Sequence, residues 1–469
     1  MSYTQQQQAI IDLVAADLPV NKETELYKVS SVAGSGKTHT LIGIAKAVNP
    51  TKGLYIAFNK SVATEAKLKF GKNIDCKTIH ALAYQYVIAG TKQKIEEFSI
   101  DSIPTKIRPE KKRQIIRAMN DFFNSSELSL SFLDNKLTPK LAEIAKSHIA
   151  NMVEGTVPAT FGFIMKFFYL QLESKAIKIE YDLVMLDEAG DLSEVTIEIF
   201  KLLKSPKKVL VGDPFQNIYA FMNTVNGFKI FEDVGHTLTL SQSFRVREDI
   251  ARGIEKFCQS NLDKKMEFKG VPIEDTDVKS RVFLSRTNGQ LINRMIELHD
   301  KRLPYKTLRE PKDIFALPLA LISISSGKPV YRTEFKYLER DYSYFNNHED
   351  IKLQYDHKFH KYLRDIHGDD ENLISAIRLL ETHSYSKIFE TYSLAKNQPK
   401  KGVDITLSTA HTSKGGTYDS VYIENDLNNT VKKIIEQGGP ETTDEMIELN
   451  LYYVAVSRTR IELINAHYI

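Results

Sequence analysis

Short hydrophobic stretches recur along the chain, and several of them lead into apolar positions at helical spacing. Residues 26–32 alternate and are rich in Val, Ser and Tyr, which is typical of a strand. The apolar positions within 41–45 then recur as on one face of a helix. Residues 183–186 form an uninterrupted apolar run, which indicates a strand buried in a parallel sheet. The pattern predicts strands followed by helices.

The same pattern predicts further strands along the rest of the chain. They fall within 54–60 and at 208–211, 237–240, 281–284 and 405–409. We expect the strand at 237–240 to open a second strand-and-helix series beyond Gly235.

A glycine loop joins the strand at 26–32 to the helix that follows. Its sequence is Ala33-Gly34-Ser35-Gly36-Lys37-Thr38. Glycines let backbone N–H groups curl around phosphates, the Lys reaches the β- and γ-phosphates, and the Thr hydroxyl binds Mg²⁺. The full consensus has one more Gly, where this chain has Ser31. The order of strand, loop and helix nevertheless predicts a nucleotide site that all six loop residues line.

Two acidic residues, Asp187 and Glu188, end the apolar run at 183–186. A carboxylate at the end of such a strand is expected beside the phosphate loop. Asp187 would hold the Mg²⁺, and Glu188 would orient or deprotonate the attacking water, the two tasks that ATP hydrolysis requires. The adjacent Glu favours a hydrolase over a kinase, because a kinase must keep water out.

The strand at 208–211 ends in Gly212-Asp213-Pro214-Phe215-Gln216. A Gln after this strand can touch the γ-phosphate, so Gln216 is a candidate sensor of that group. Tyr219 and Phe221 follow within the same segment.

The composition is that of a folded protein with several domains. Of 469 residues, 42% are hydrophobic and 26% charged, which excludes a mostly disordered, collagenous or membrane-embedded chain. The net charge of +3 requires any basic surface to be local. Cys76 and Cys258 are too few and too far apart for a disulfide framework or a zinc cluster, which fits a reducing cytoplasm. Trp is absent from the sequence, so any base stacking falls to Phe and Tyr.

These motifs, together with others, resemble those of the UvrD/Rep-like superfamily 1 DNA helicases, and among these the F-box DNA helicase-like branch. The segment Thr4-Gln5-Gln6-Gln7 looks like the family's adenine-reading glutamine motif. The resemblance implies that Gln7 reads adenine, with Gln6 as the alternative. It also implies that ATP and Mg²⁺ are the cofactors.

The resemblance further implies two arginines that act on the nucleotide. Residues 241–245 make Arg245 the first arginine finger and Phe244 a ring that stacks on adenine. Residues 448–460 match the last family motif and make Arg458 the second finger. A guanidinium offers several planar donors to a charge-rich phosphoryl transition state, which explains the choice of Arg.

Four segments are similar to the family motifs that face DNA, namely 54–60, 78–83, 285–288 and 410–415. The DNA-binding residues implied by these segments and by 219–221 are Phe58, Asn59, Lys60, His80, Tyr219, Phe221, Arg286, Asn288, His411 and Lys414. The expected partners are single-stranded DNA and junctions of single- and double-stranded DNA.

The fold implied by the resemblance is α/β, with two RecA-like P-loop NTPase domains on parallel sheets, each carrying a mainly helical inserted subdomain. The expected ranges are 1–83 and 182–235 for the first motor domain, 84–181 for its insertion, 236–290 and 401–469 for the second motor domain, and 291–400 for the second insertion. The phosphate loop and acidic pair then fall in one half and both arginines in the other, so a complete ATP site would form only when the halves meet.

We therefore expect an ATP-dependent DNA helicase that moves along single-stranded DNA, 3′ to 5′ by resemblance, and separates strands in replication, recombination or repair. The alternative is a DNA-stimulated ATPase or DNA-binding subunit that docks partners without unwinding by itself. Gly190, Met222 and Thr417 depart from the family pattern in coupling segments and motivate this alternative. Replication or recombination proteins are the expected protein partners, a monomer is the default, and the location is cytoplasmic, at the nucleoid, or nuclear in a eukaryote.

Two stretches in the predicted insertions have a structural as well as a DNA-binding interpretation. The basic residues within 108–117 suit a solvated helix face or a surface that borders DNA. Rings and cations interleave across 331–364, as on a nucleic-acid surface, but an amphipathic helix with an aromatic core face is favoured. His357, His360 and His367 lack the Cys or carboxylate spacing of a metal site.

Overall fold

The chain folds into two compact units. The computed structural model describes residues 2–16, 24–103, 106–218, 224–274, 277–348, 355–368, 370–399 and 401–469. The units are Met1–Gln242 and Ser243–Ile469. Each contains a parallel sheet flanked by helices, which confirms the α/β fold with two RecA-like domains. None of the helices in the described ranges has the length and apolarity needed to span a membrane.

The first unit is built on a parallel sheet in the order β3-β2-β4-β6-β1-β8. The unit's strands are β1 (Glu25–Ser31), β2 (Gly53–Ala57), β3 (Ile74–Thr78), β4 (Leu183–Leu186), β5 (Leu192–Ser193), β6 (Lys207–Gly212), β7 (Thr224–Val225) and β8 (His236–Leu240). All four residues of β4 are buried, as its apolar run predicts. The short strands β5 and β7 form a separate antiparallel pair.

Helices pack against this sheet and against one another, and residues of both lie in one core. They are α1 (Gln5–Ala15), α2 (Lys37–Val48), α3 (Lys60–Lys69), α4 (Ile79–Val87), α5 (Pro109–Asn124), α6 (Phe132–Lys136), α7 (Pro139–Val153), α8 (Phe161–Glu173), α9 (Glu194–Leu202) and α10 (Gly227–Ile230). The basic helix α5 buries Ile115, Met119 and Phe122 on one face, while Lys111 and Arg117 remain exposed. Its charges therefore lie on a solvated face.

The strand at 236–240 belongs to the first sheet and not to the second domain, where the sequence interpretation assigned it. β8 pairs in parallel with β1 from Tyr27 opposite His236 to Ser31 opposite Leu240. Leu240 is buried in the same core as Val29. Burial of this apolar side chain beside β1 explains why the first unit extends to Gln242.

The second unit contains a parallel sheet in the order β12-β13-β11-β14-β15. Its strands are β9 (Gln242–Arg247), β10 (Lys269–Val271), β11 (Arg281–Ser285), β12 (Lys306–Thr307), β13 (Ile405–Thr409), β14 (Tyr418–Ile423) and β15 (Thr459–Ile464). Strands β9 and β10 form a separate pair.

The helices of the second unit include a group that lies between β11 and β13 in the sequence. They are α11 (Glu248–Asn261), α12 (Asn288–Asp300), α13 (Pro311–Ile314), α14 (Ala316–Ser325), α15 (Lys336–His348), α16 (Tyr355–Ile366), α17 (Glu371–Thr382), α18 (Tyr385–Lys396), α19 (Asn425–Glu436) and α20 (Thr443–Val456). Phe345 of α15 and Phe359 of α16 are buried in one core with Leu338 and Leu363. The aromatic residues within 331–364 thus include a core face, as favoured from the sequence.

We predict that Gly235→Ala destabilises the first unit. Gly235 has φ +71°, and a Cβ there would lie 2.1 Å from the Leu26 carbonyl oxygen. A left-handed backbone and an overpacked contact together cost roughly 2–5 kcal/mol, which urea unfolding measures. Gly155→Ala is the matched control because Gly155 has φ +75° but open space around it. Equal destabilisation by both changes would contradict the close approach of β8 to β1.

Candidate nucleotide-binding site

The predicted phosphate loop lies between the end of β1 and the start of α2. Gly34 and Gly36 adopt φ of +76° and +78°, which favours glycine at both positions. The Ser31 hydroxyl donates to the Gly212 carbonyl oxygen at 2.8 Å. Ser31, which replaces a consensus Gly, therefore ties the start of the loop to the end of β6. Lys37 and Thr38 occupy the first two positions of α2, where free N–H groups and the helix dipole favour an anion.

The two candidate glutamines of α1 contact different parts of the first unit. Gln7 is buried, and its side-chain oxygen accepts from the Thr4 N–H at 3.1 Å in a capping box. Its amide group donates to the Ser35 carbonyl oxygen of the loop at 3.4 Å. The amide of Gln6 instead donates to the Ser241 hydroxyl at 2.9 Å and accepts from the Ser241 N–H at 3.1 Å. Gln7 is thus the one of the two that touches the phosphate loop.

The structure brings Lys37 and Glu188 together. Lys37 Nζ lies 2.7 Å from Glu188 Oε1, and the two side chains are 15% and 30% exposed. Burial lowers the pKa of Lys37, but the charges of Glu188, Asp187 and Asp213 outweigh it, and the pKa of Lys37 is raised. The lysine therefore stays charged, and phosphate oxygens could replace its carboxylate partner.

Asp187 is held at the end of β4 by two donors. Its Oδ1 accepts from the Glu188 N–H at 2.9 Å, and its Oδ2 accepts from the Tyr55 hydroxyl at 2.6 Å. Burial, followed by the charge of Glu188, raises the pKa of Asp187 against the opposing effects of Lys37 and Tyr55. Glu188 itself has φ +54°, so the chain turns sharply between these two carboxylates.

The segment after β6 forms a second small network. Asp213 is buried, and its carboxylate accepts from the Phe215 N–H at 3.1 Å and from the Gln216 side-chain amide at 2.7 Å. A Cβ at Gly190 would lie 2.5 Å from the Asp213 carbonyl oxygen. The family's Gln is thus replaced by Gly at a point where two backbone segments touch. Tyr219, Phe221 and Met222 lie outside the described residues.

The residues present fit a nucleotide with Mg²⁺. Glycine-rich backbone at a helix N-terminus suits phosphates, and the Thr38 hydroxyl and an Asp187 oxygen are hard donors of the kind that Mg²⁺ prefers. Within the described ranges, no group of three His, Cys, Asp or Glu side chains converges as a metal site. Mg²⁺ bound by one carboxylate together with nucleotide phosphates is compatible with that finding.

Several predicted DNA-binding residues lie at the surface of the first unit. Phe58 is 53% exposed directly after β2. Asn59 caps α3 by accepting from the Val62 N–H at 2.9 Å, and Lys60 is the first residue of that helix. The His80 ring is exposed and meets the Phe161 ring edge to face at 5.9 Å. DNA contact by these side chains stays a prediction.

The two predicted arginine fingers both contact the segment that ends α20. Arg245 donates to the Ser457 carbonyl oxygen at 3.1 Å. Arg458 is 2% exposed and donates to the Val454 carbonyl oxygen at 2.8 Å and the Ser457 hydroxyl at 3.0 Å. Phe244 is 49% exposed beside Arg245. The second unit thus clusters residues that are about 200 positions apart in the sequence.

Arg286 forms an ion pair inside the second unit. Its guanidinium donates to both carboxylate oxygens of Glu448 at 2.6–2.9 Å, with the two side chains 16% and 18% exposed. Asp426 accepts from the N–H groups of Arg286 and Thr287 at 3.0 and 2.9 Å. The structure therefore gives Arg286 a protein partner, and its contact with DNA stays a prediction.

The other three predicted DNA-binding residues of this unit are half-buried. Asn288 is the first residue of α12. Burial, followed by the charge of Arg286, lowers the pKa of His411 to about 4. The Lys414 N–H donates to the His411 carbonyl oxygen at 3.3 Å. His411 is therefore neutral at physiological pH.

Sequence interpretation missed Tyr55, Asp213 and Ser241 as members of these networks. Tyr55 could have been found from the sequence, because it is the one residue of β2 with a side-chain hydroxyl. The neighbouring strand β4 ends directly before Asp187. The side-chain bonds of Asp213 and Ser241 depend on turn geometry, which no periodicity reveals.

We predict that Gly190→Gln, which restores the family's side chain, destabilises the first unit. The new Cβ would lie too close to the Asp213 carbonyl oxygen, which belongs to the backbone and cannot move as a flexible side chain can. Overpacking of this kind costs about 1–3 kcal/mol. Urea unfolding provides the measurement. The control is Gly71→Gln, where the nearest atom is the movable Asn73 side-chain oxygen at 2.5 Å. A Gly190→Gln protein as stable as wild type would contradict the packing of Asp213 against this turn.

A pH dependence follows from His411. Its pKa is about 4 when folded and 6.5 when unperturbed, so the unfolded chain binds more protons between these values. Stability of the second unit should therefore fall as pH decreases from 6.5 towards 4. In His411→Asn that fall should be shallower, as measured by urea midpoints across this range. Identical slopes in the two proteins would rule out a buried neutral histidine.

Comparison with known proteins supports the same family. A protein-family model described as an AAA domain matches residues 18–222. F-box DNA helicase protein 1 of Schizosaccharomyces pombe is 25% identical over 94% of this chain and 55% of its own length. F-box DNA helicase 1 of Gallus gallus is 26% identical over 93% of this chain and 47% of its own length. The RecBCD enzyme subunit RecB of Borreliella burgdorferi is 48% identical over 59 residues, 11% of this chain.

The chain thus spans about half the length of the two F-box helicases that it matches. The similarity to them extends across both units, whereas the AAA domain match lies within the first. Together with the motifs, these comparisons support the resemblance of this chain to the UvrD/Rep-like superfamily 1 helicases.

Proposed function

We propose that this protein hydrolyses ATP and uses the energy to move along single-stranded DNA and separate duplex strands. The observation that carries the proposal is the bond between Lys37 and Glu188 at 2.7 Å, formed where the phosphate loop meets the end of β4. It supports a site in which a cation for phosphates and a carboxylate for water lie side by side. The F-box relatives are named DNA helicases, which supports DNA as the substrate.

Hydrolysis begins when the phosphates bind. The loop N–H groups and the N-terminus of α2 bind the phosphate oxygens, and Lys37 exchanges the Glu188 carboxylate for them. Mg²⁺, when bound, neutralises phosphate charge, and Thr38 and Asp187 are the residues that would hold it.

Glu188, released from Lys37, orients a water and accepts its proton as the water oxygen bonds to the γ-phosphorus. The bond from that phosphorus to the bridging oxygen breaks, leaving ADP and phosphate. Gln216, fixed by Asp213 at 2.7 Å, is suited to respond to loss of the γ-phosphate.

Arg245 and Arg458 of the second unit are the proposed arginine fingers. Both side chains are anchored on Ser457, so they respond together to any change at the end of α20. Planar guanidinium groups stabilise charge on a transferring phosphoryl group. We propose that their engagement with ATP and release after hydrolysis drive steps along DNA, in the 3′-to-5′ direction of the family, during replication, recombination or repair.

We predict that Lys37→Ala lowers DNA-stimulated ATPase activity by at least about 100-fold, because the phosphates lose a preorganised cation. Lys46→Ala is the control, since Lys46 is exposed near the end of the same helix. The assay compares 3′-tailed, 5′-tailed and blunt duplexes and follows strand displacement in parallel.

Displacement of the 3′-tailed duplex by wild type and Lys46→Ala, and not by Lys37→Ala, supports the helicase. ATP hydrolysis without displacement on every substrate would favour a DNA-stimulated ATPase that docks partners. Full ATPase activity in Lys37→Ala would contradict both.

A further inference from the structure

A tyrosine hydroxyl reaches the proposed magnesium-binding carboxylate. Tyr55 lies in β2, which pairs in parallel with β4 so that Tyr55 is opposite Met185. Its ring is fully buried, and its hydroxyl lies 2.6 Å from Asp187 Oδ2. The other strand residues of β2 are Gly53, Leu54, Ile56 and Ala57, which offer no side-chain donor.

The surroundings of Tyr55 fix the position of its hydroxyl. The Tyr55 ring stacks on the Phe70 ring at a centroid distance of 4.9 Å. Tyr55 and its opposite residue Cys76 in β3 are both buried. A buried ring stacked on a second ring has little rotational freedom, so the hydroxyl meets Asp187 in one orientation.

Asp187 needs such a donor because its carboxylate has to present an oxygen in a defined direction. The Glu188 N–H bonds Oδ1 and the Tyr55 hydroxyl bonds Oδ2, so the carboxylate plane is fixed from both ends. Each oxygen retains a further lone pair for a ligand. Hydrogen bonds of this kind orient metal-binding groups, and their loss typically weakens metal binding about 10–100-fold.

We propose that Tyr55 is a positioning residue that orients the Asp187 carboxylate toward the magnesium ion of the bound nucleotide. This inference rests on the proposed ATPase function. Tyr55 touches neither nucleotide nor reacting atoms, and it acts through Asp187. The hydroxyl carries this role, whereas the ring belongs to the core of the first unit.

The test replaces Tyr55 by Phe, which keeps the ring and removes the hydroxyl. Tyr27→Phe is the matched control, because Tyr27 is a buried tyrosine of β1 in the same sheet. Binding of a fluorescent ADP is measured in EDTA and across a Mg²⁺ titration, and Mn²⁺ binding to the ADP complex is measured by electron paramagnetic resonance. The Mg²⁺ dependence of ATP hydrolysis is recorded alongside, with thermal unfolding as a check on folding.

We expect Tyr55→Phe to raise the Mg²⁺ and Mn²⁺ concentrations for half-saturation about tenfold or more. ADP binding in EDTA should remain unchanged, and hydrolysis should approach the wild-type rate at saturating Mg²⁺. Tyr27→Phe should match wild type throughout. Unchanged metal half-saturation in Tyr55→Phe would overturn the inference, as would an equal loss of ADP binding in EDTA, which indicates a general structural role.

A double-mutant cycle with Asp187→Asn tests whether the effect passes through Asp187. If it does, Tyr55→Phe has little further effect on Mn²⁺ binding in the Asp187→Asn background. An undiminished tenfold effect there would overturn the inference. Wild-type protein that shows no Mg²⁺-dependent ADP binding would instead refute the proposed ATPase function, so the two failures are distinguishable.

Discussion

The first unit depends on holding three ionisable side chains together at the edge of its sheet. Lys37, Asp187 and Glu188 are taken largely out of water, which is costly unless the charges compensate one another. The ion pair between Lys37 and Glu188 provides that compensation, and Tyr55 and a backbone N–H satisfy Asp187. The side chains that the proposed chemistry needs are therefore also the ones that need partners in the folded first unit.

Close packing and hydrogen bonding within the first unit account for two departures from the family pattern. Gly190 is required where the turn after the acidic pair touches the Asp213 carbonyl, so the missing side chain reflects close packing of two loops. Ser31 replaces a loop glycine and uses its hydroxyl to bind the end of β6. Neither change removes a group on which phosphoryl transfer depends, which is why these departures are compatible with an ATPase.

Sequence patterns predicted the parts of the protein that local periodicity and fixed motifs define. The apolar run of β4, the glycine loop and the acidic pair lie where their order along the chain indicated. Pairing between distant segments was harder to foresee: β8 joins the first sheet, and Arg286 meets Glu448 across 162 positions. Such contacts form between segments that are far apart in the sequence. The periodicity of hydrophobic positions within one segment does not indicate which distant segment it will contact.

In the proposed mechanism, Lys37 exchanges the Glu188 carboxylate for the phosphates of ATP. The most direct test of this exchange is to measure ATP binding and hydrolysis by Glu188→Gln. Gln keeps the shape of Glu188 but can neither pair with Lys37 as an anion nor accept the proton of water. Binding of Mg²⁺ and ATP should persist or tighten, while hydrolysis with single-stranded DNA should fall by about 100-fold or more. Hydrolysis at the wild-type rate would contradict the role of Glu188, and loss of ATP binding would contradict the exchange at Lys37.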